Sequence, residues 1–356
     1  MILVIIYSFL LIAGMAISQA LNVTVYHDSI SVLTTFCLAY IMIEVGLEFN
    51  FDRSQWRGYL KDFGVAMSAA ILPATFLMIY ILYFFQLQFK EAALVGLSAA
   101  PTSAGILFAM LSAAGLSATW VFKKARILAI ADDLGTLLLM IPLKIVFTGF
   151  HYQLLIVICL IAGMSTAAVR WFHRLTLPTG KLWLFLYAGI LVIMAMVLEF
   201  TTHVHLEILW PSFILGCLLL NTHNSPDLHW ADVFDKYVKG TFMFLVGCSL
   251  PKLEIGSLTW GAVAGHLFIL LLLSNLGKCF PLIAYRKTVS FRERLALSFA
   301  MFPRGEVGAG VLLIALSYGI QGIPVGLAVG TLALNLLLTG FFIVVVIELI
   351  RKSTTL

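Results

Sequence analysis

Charge is scarce in this 356-residue chain: 17 acidic and 22 basic residues make up 11% of it, where a soluble domain carries about a quarter. A soluble fold of this composition has too little polar surface to cover itself. No basic run exceeds two residues, so the net charge of +5 points to loop bias in a membrane rather than to nucleic acid. The five cysteines, Cys37, Cys159, Cys217, Cys248 and Cys279, lie in apolar stretches without paired spacing. Neither a disulfide framework nor a zinc site is supported, and no cofactor is expected. What the sequence has in quantity is apolar: 62% of residues, in runs long enough to cross a bilayer at roughly 20 residues each.

Apolar runs bounded by charge give twelve candidate spans: 2–20, 30–48, 64–86, 92–114, 126–147, 152–172, 182–201, 206–221, 241–251, 258–284, 295–318 and 323–350. The eighth and ninth are short. Charge placement tests the count, because Lys and Arg stay preferentially on the cytoplasmic side. Seventeen of the 22 basic residues fall in alternate loops and the C-terminal tail, against only Lys90 and Lys252 on the other side. This puts both termini in the cytoplasm and supports the two short spans. The first span, ending Ile17, Ser18, Gln19, Ala20, is weighed as a signal peptide, but no basic residue precedes it. The expectation is therefore an all-α polytopic membrane protein, residues 1–356 forming a single integral-membrane domain with no soluble regulatory domain.

Three basic residues remain inside spans, Lys144, Lys278 and Arg304, together with the acids Asp132, Asp133 and Glu306. An ionisable group at bilayer depth costs at least about 2.5 kcal/mol, so it faces the protein interior and marks a function. Asp132 and Asp133 lie six and seven residues beyond Arg126, about 9 to 10 Å deep at about 1.5 Å per residue. Lys278 lies six residues from Ala284 on a span running the other way, so it can meet them. Neighbours on a helix diverge by about 100°, so the two acids cannot both point at one spot. Either one or both merely satisfy Lys278 as structural glue, or one balances Lys278 while the other faces a water-filled cavity and binds a proton or a metal cation in competition.

Helix breakers give a second signal. Pro101, within Ala100-Pro101-Thr102-Ser103, interrupts the fourth span, and Pro303, within Pro303-Arg304-Gly305-Glu306, interrupts the eleventh. Each proline lies ten residues after a glutamate, Glu91 and Glu293. Spans four and eleven cross in opposite directions, so the pattern predicts inverted repeats with two discontinuous helices crossing at mid-membrane.

These runs, with Ala131-Asp132-Asp133, Asn275-Leu276-Gly277-Lys278 and Val45-Gly46-Leu47-Glu48, resemble the bacterial monovalent cation/proton antiporters, in the two-aspartate sodium/proton branch and its potassium-efflux relatives. The resemblance covers the whole chain. It implies that Asp133 is the main cation and proton ligand, and that Asp132 pairs with Lys278 when the site is empty. Thr102 and Ser103 would offer oxygens at the unwound crossing, and Arg304 with Glu306 would hold that crossing electrostatically. Segments 92–147 and 258–350, with 64–86, would form the ion-transport bundle. The resemblance further implies Na+, with Li+ or K+ as alternatives, exchanged for H+ by a homodimer in the bacterial inner membrane.

Competing readings are an intramembrane aspartyl protease, a K+/H+ antiporter, and a sodium-coupled symporter of organic anions. The protease needs two aspartates converging from different helices, which Asp132 and Asp133 are not; no enzymatic role is expected. Lys278 set against the acids argues for proton exchange over symport. Among other polar residues, Glu44 and Glu48 read either as an ion-attracting funnel or as interfacial side chains. His203 and His205 flank an external loop, Lys144 reaches toward headgroups, and 226–238 reads as an interfacial helix.

Overall fold

A computed structural model describes residues 2–20, 27–47, 56–149, 175–202, 208–219, 229–249 and 259–354, with isolated positions between 159 and 171. Most of the sixth candidate span falls outside them, as do His203, His205 and Glu48. Fourteen helices and no strand occur among the described residues. Among the described residues, five helical stretches are long and apolar enough to cross a membrane.

Residues cluster into two compact units. The first, Met1–Val23, Gln55–Phe147 and Val246–Leu356, contains all three segments expected to form the transport bundle. Its helices are α1 (Ile2–Ala20), α3 (Trp56–Phe85), α4 (Phe89–Leu97), α5 (Ala104–Ala113), α6 (Trp120–Thr148), α10 (Trp260–Gly277), α11 (Phe280–Ala284), α12 (Phe291–Ala300), α13 (Glu306–Ser317) and α14 (Ile323–Thr354). The second, Thr24–Ser54 and Thr148–Leu245, holds α2 (His27–Leu47), α7 (Lys181–Thr202), α8 (Leu209–Leu218) and most of α9 (His229–Cys248).

Both expected breaks are present in the first unit. Helix α4 stops at Leu97, and its last turn tightens as Ala99 and Ala100 N–H donate to the carbonyls three residues back, of Gly96 and Leu97. Pro101 has no N–H with which to continue, and Ser103 then caps α5 by accepting from Ile106 N–H at 3.4 Å. Helix α12 ends in the same way before Pro303, and α13 starts at Glu306. A third break is not expected from the sequence: 258–284 divides at Lys278 into α10 and the five-residue α11. Pro281 explains it, since its ring would clash with the carbonyl four residues back, on Gly277. By contrast α6 runs unbroken for 29 residues with Pro142 inside it.

In the second unit α2 and α8 approach most closely at Gly46 and Gly216, where a Cβ on either would run into the other helix's backbone. Small residues permit this contact, which is how helices gain van der Waals contact where lipid is as apolar as leucine. The interfacial helix expected over 226–238 is, from His229 onward, the first half of continuous α9. Its buried stripe of Asp235, Val238, Lys239, Phe242 and Val246 repeats every three to four residues without interruption.

Candidate functional site

The two broken spans meet as extended backbone. Ser103 N–H donates to the Pro303 carbonyl at 2.9 Å, and the Thr102 hydroxyl donates to the Met301 carbonyl at 3.1 Å. Gly305 packs closely here, where a Cβ would press on the Ser103 and Ile106 side chains. Every residue from 94 to 111 is buried, so the crossing lies deep inside the first unit.

Three elements deliver charge to it. Unbroken α6 brings Asp132 and Asp133, the turn between α10 and α11 brings Lys278, and the segment before α13 brings Arg304. Lys278 and Asp132 are each 0% exposed, with Lys278 Nζ 2.6 Å from Asp132 Oδ2. The same carboxylate oxygen accepts the Thr102 N–H at 2.8 Å. Lys278 also donates to the Ala100 carbonyl, and Arg304 Nε donates to the Ala99 carbonyl at 3.0 Å. Two cations thus cover the carbonyl end of α4, where the peptide dipoles leave partial negative charge. The remaining Arg304 donors reach the Ser274 carbonyl at 2.8 Å, Asn275 Oδ1 at 3.1 Å and Ser274 Oγ at 3.3 Å.

The structure therefore brings Asp132, Thr102, Ser103, Lys278, Arg304, Pro101 and Pro303 together. Asp133 sits one position along α6, 2% exposed, and interacts electrostatically with Lys278. It is enclosed in this conformation rather than facing an open cavity. The Glu306 side chain lies outside the described residues, so the expected pairing with Arg304 does too. Sequence reasoning missed Ser274 altogether and gave Asn275 no role. Its available signal was the need of a buried guanidinium for several acceptors.

Other charges find partners away from the crossing. Glu44 is not an open funnel: its Oε2 lies 2.7 Å from Lys239 Nζ, which also holds Asp235 Oδ2 at 2.9 Å, and Tyr40 donates to Asp235 at 3.3 Å. These residues all belong to the second unit. In the first unit Asp62 of α3 accepts from Lys124 of α6 at 2.6 Å and from the Tyr285 hydroxyl at 2.5 Å. Near the other end of α6, Phe147 stacks on Tyr318 with centroids 4.8 Å apart, and Lys90 Nζ lies 5.3 Å from the Phe147 ring.

The fold matches two structures of the sodium proton antiporter MjNhaP1 from Methanocaldococcus jannaschii. The one at pH 8 has 14% identity, a TM-score of 0.59 and coverage of 98% of this chain and 92% of that one. The one from electron microscopy has 15% identity, a TM-score of 0.58 and coverage of 97% and 88%. Comparison with curated proteins gives no significant match. The family described as "Sodium/hydrogen exchanger, transmembrane" matches residues 4–355. A multi-pass helical chain with crossed broken helices, matched along nearly its whole length, belongs to the sodium/hydrogen exchanger family.

Proposed function

We propose that this protein is an electrogenic Na+/H+ antiporter in which Asp133 is the ligand shared by cation and proton, and Asp132 and Lys278 form its charge-compensating pair. Cation/proton exchange is the activity of the family to which the chain belongs. The observation that carries the residue assignment is the Asp132–Lys278 contact, 2.6 Å and fully buried, one helix position from Asp133. In this reading the neighbouring Asp133 binds Na+ through oxygen, with Thr102 and Ser103 supplying further oxygens at the crossing. When Na+ enters, Asp133 gives up its proton and Lys278, losing its share of the negative charge, releases a second, or both acids release their protons to the cation's entry; either route exchanges two protons for one Na+ and so moves net charge. Alternating access then requires a second conformation that opens Asp133 to water.

The symporter reading is disfavoured because an organic anion needs an available cation. Lys278 and Arg304 are engaged with Asp132, Ala99, Ala100, Ser274 and Asn275. The loop charge bias supports both termini in the cytoplasm of a bacterial inner membrane, and we assign the protein as a homodimer there. Proton flux in proteoliposomes, with Na+, Li+ and K+ added in turn, is the test. Sodium-driven proton movement is the expected result; flux with K+ alone would replace this reading with a potassium-efflux antiporter, and no flux with any cation would overturn it.

A further inference from the structure

The buried cluster around Asp62 has no part in the exchange chemistry described so far, although it joins the two segments that carry that chemistry. Asp62 is 1% exposed, and its two carboxylate oxygens are divided between Lys124 of α6 and Tyr285, the residue just after α11. Lys124 lies eight residues before Asp132 on the unbroken α6, about 12 Å at about 1.5 Å per residue. Tyr285 lies seven residues after Lys278 across a five-residue helix. The two segments are therefore linked at two levels, once by Asp132–Lys278 and once through Asp62.

The second link closes off the weak side of Lys278. That lysine sits in the turn between α10 and α11, and a five-residue helix has no independent stability. Among the contacts that fix α11 are the Tyr285–Asp62 hydrogen bond at one end and Arg294 donating to the Leu282 carbonyl at 2.7 Å. Trp120 meets the Tyr285 ring edge-on at 5.7 Å, and Lys61 and Lys124 lie 5.3 and 5.8 Å from its centroid. Burial and the Asp62 carboxylate push the Tyr285 phenol above its ordinary value of 10. The phenol thus remains a donor throughout the neutral and alkaline working range.

We propose that Asp62 is a positioning residue for exchange, holding α11 and α6 in register through Tyr285 and Lys124 so that Lys278 stays aligned on Asp132. This inference rests on the antiport reading above. A loosened pair lets protons compete better with the cation at the acids. The expected consequence is a higher apparent KM for Na+ at neutral pH, converging toward wild type as pH rises.

The test compares Na+-driven proton flux in proteoliposomes for wild type, Tyr285→Phe, Asp62→Asn, Lys124→Met and Lys124→Arg, each normalised to folded protein by size exclusion. Tyr285→Phe deletes one hydroxyl and preserves the ring contacts, so it remains informative if Asp62→Asn does not fold. Expected is a roughly fivefold rise in KM at neutral pH for the first three variants, at the low end of ordinary site-to-site couplings. Their activity profiles should move toward alkaline pH, the maximal rate should stay within twofold, and Lys124→Arg should restore wild-type behaviour. Variants whose KM and pH profile match wild type, or whose rate falls uniformly at every pH, would overturn the positioning role while wild-type flux leaves antiport intact. Absence of flux in the wild type would instead defeat the antiport reading itself.

Discussion

Asp132 and Asp133 are adjacent and chemically identical, and the structure distinguishes them by what each touches. Asp132 takes the Lys278 ammonium and the Thr102 N–H on one oxygen, so its charge is committed to holding the crossing. Asp133, one position along the helix, carries the exchange in our reading. Asp133→Asn should abolish exchange of every cation while the protein still folds, because amide and carboxylate share a shape; flux at unchanged affinity in proteoliposomes would remove Asp133 from its role. Lys278→Gln should leave Asp132 buried without its counter-charge and cost roughly 3 to 5 kcal/mol. Thermal unfolding in detergent measures that loss, and a variant as stable as wild type would mean the pair contributes little to the fold.

Proline spacing made the α4–α5 and α12–α13 breaks legible in the sequence, since Pro101 and Pro303 occupy equivalent depths in two spans. The break at Lys278 was less legible because Pro281 lies only a few residues from the end of its span, where a proline reads as ordinary helix termination. The depth match of Asp132 and Lys278 could be obtained from residue rise along two spans. The acceptors of Arg304 could not: Ala99 and Ser274 contribute carbonyls, which every residue has and no residue type advertises. Asp62 escaped for another reason, since it stands beside Lys61 near a basic loop and reads as an interfacial charge until Tyr285 closes over it. The crossing itself yields a prediction for Thr102 and Ser103. Removing both hydroxyls, Thr102→Ala with Ser103→Ala, should weaken Na+ affinity more than it lowers the maximal rate. Loss of the α5 cap should add a destabilisation of about 1 kcal/mol. Concentration dependence of flux separates the two effects, and unchanged affinity would return both residues to packing and capping alone.

For the molecule as a whole, charge arithmetic decides how exchange couples to the membrane. Asp132, Asp133, Lys278 and Arg304 are all buried in the first unit, so in our reading a monovalent cation enters a region that already carries charges of both signs. Releasing two protons for each cation shifts one net charge per cycle, worth about 2.3 kcal/mol per 100 mV. Exchange should therefore speed up or slow down when a potassium diffusion potential is imposed on proteoliposomes, with activity rising from neutral toward alkaline pH as protons cease to block the acids. Rates indifferent to voltage would exclude this stoichiometry even if exchange were confirmed.

Helix α6 is fastened near both ends, by Lys124 to Asp62 at one and by Phe147 on Tyr318 at the other, while the aspartates lie between. A rod pinned in this way resists sliding and yields chiefly by bowing, with the greatest deflection at mid-length. On the antiport reading proposed above, cations of different radius would then be met by a small lateral flexing around Asp132 and Asp133 without disturbing either anchor, and the stiffness of one helix, rather than the diameter of a rigid hole, would set how sharply Li+, Na+ and K+ are told apart.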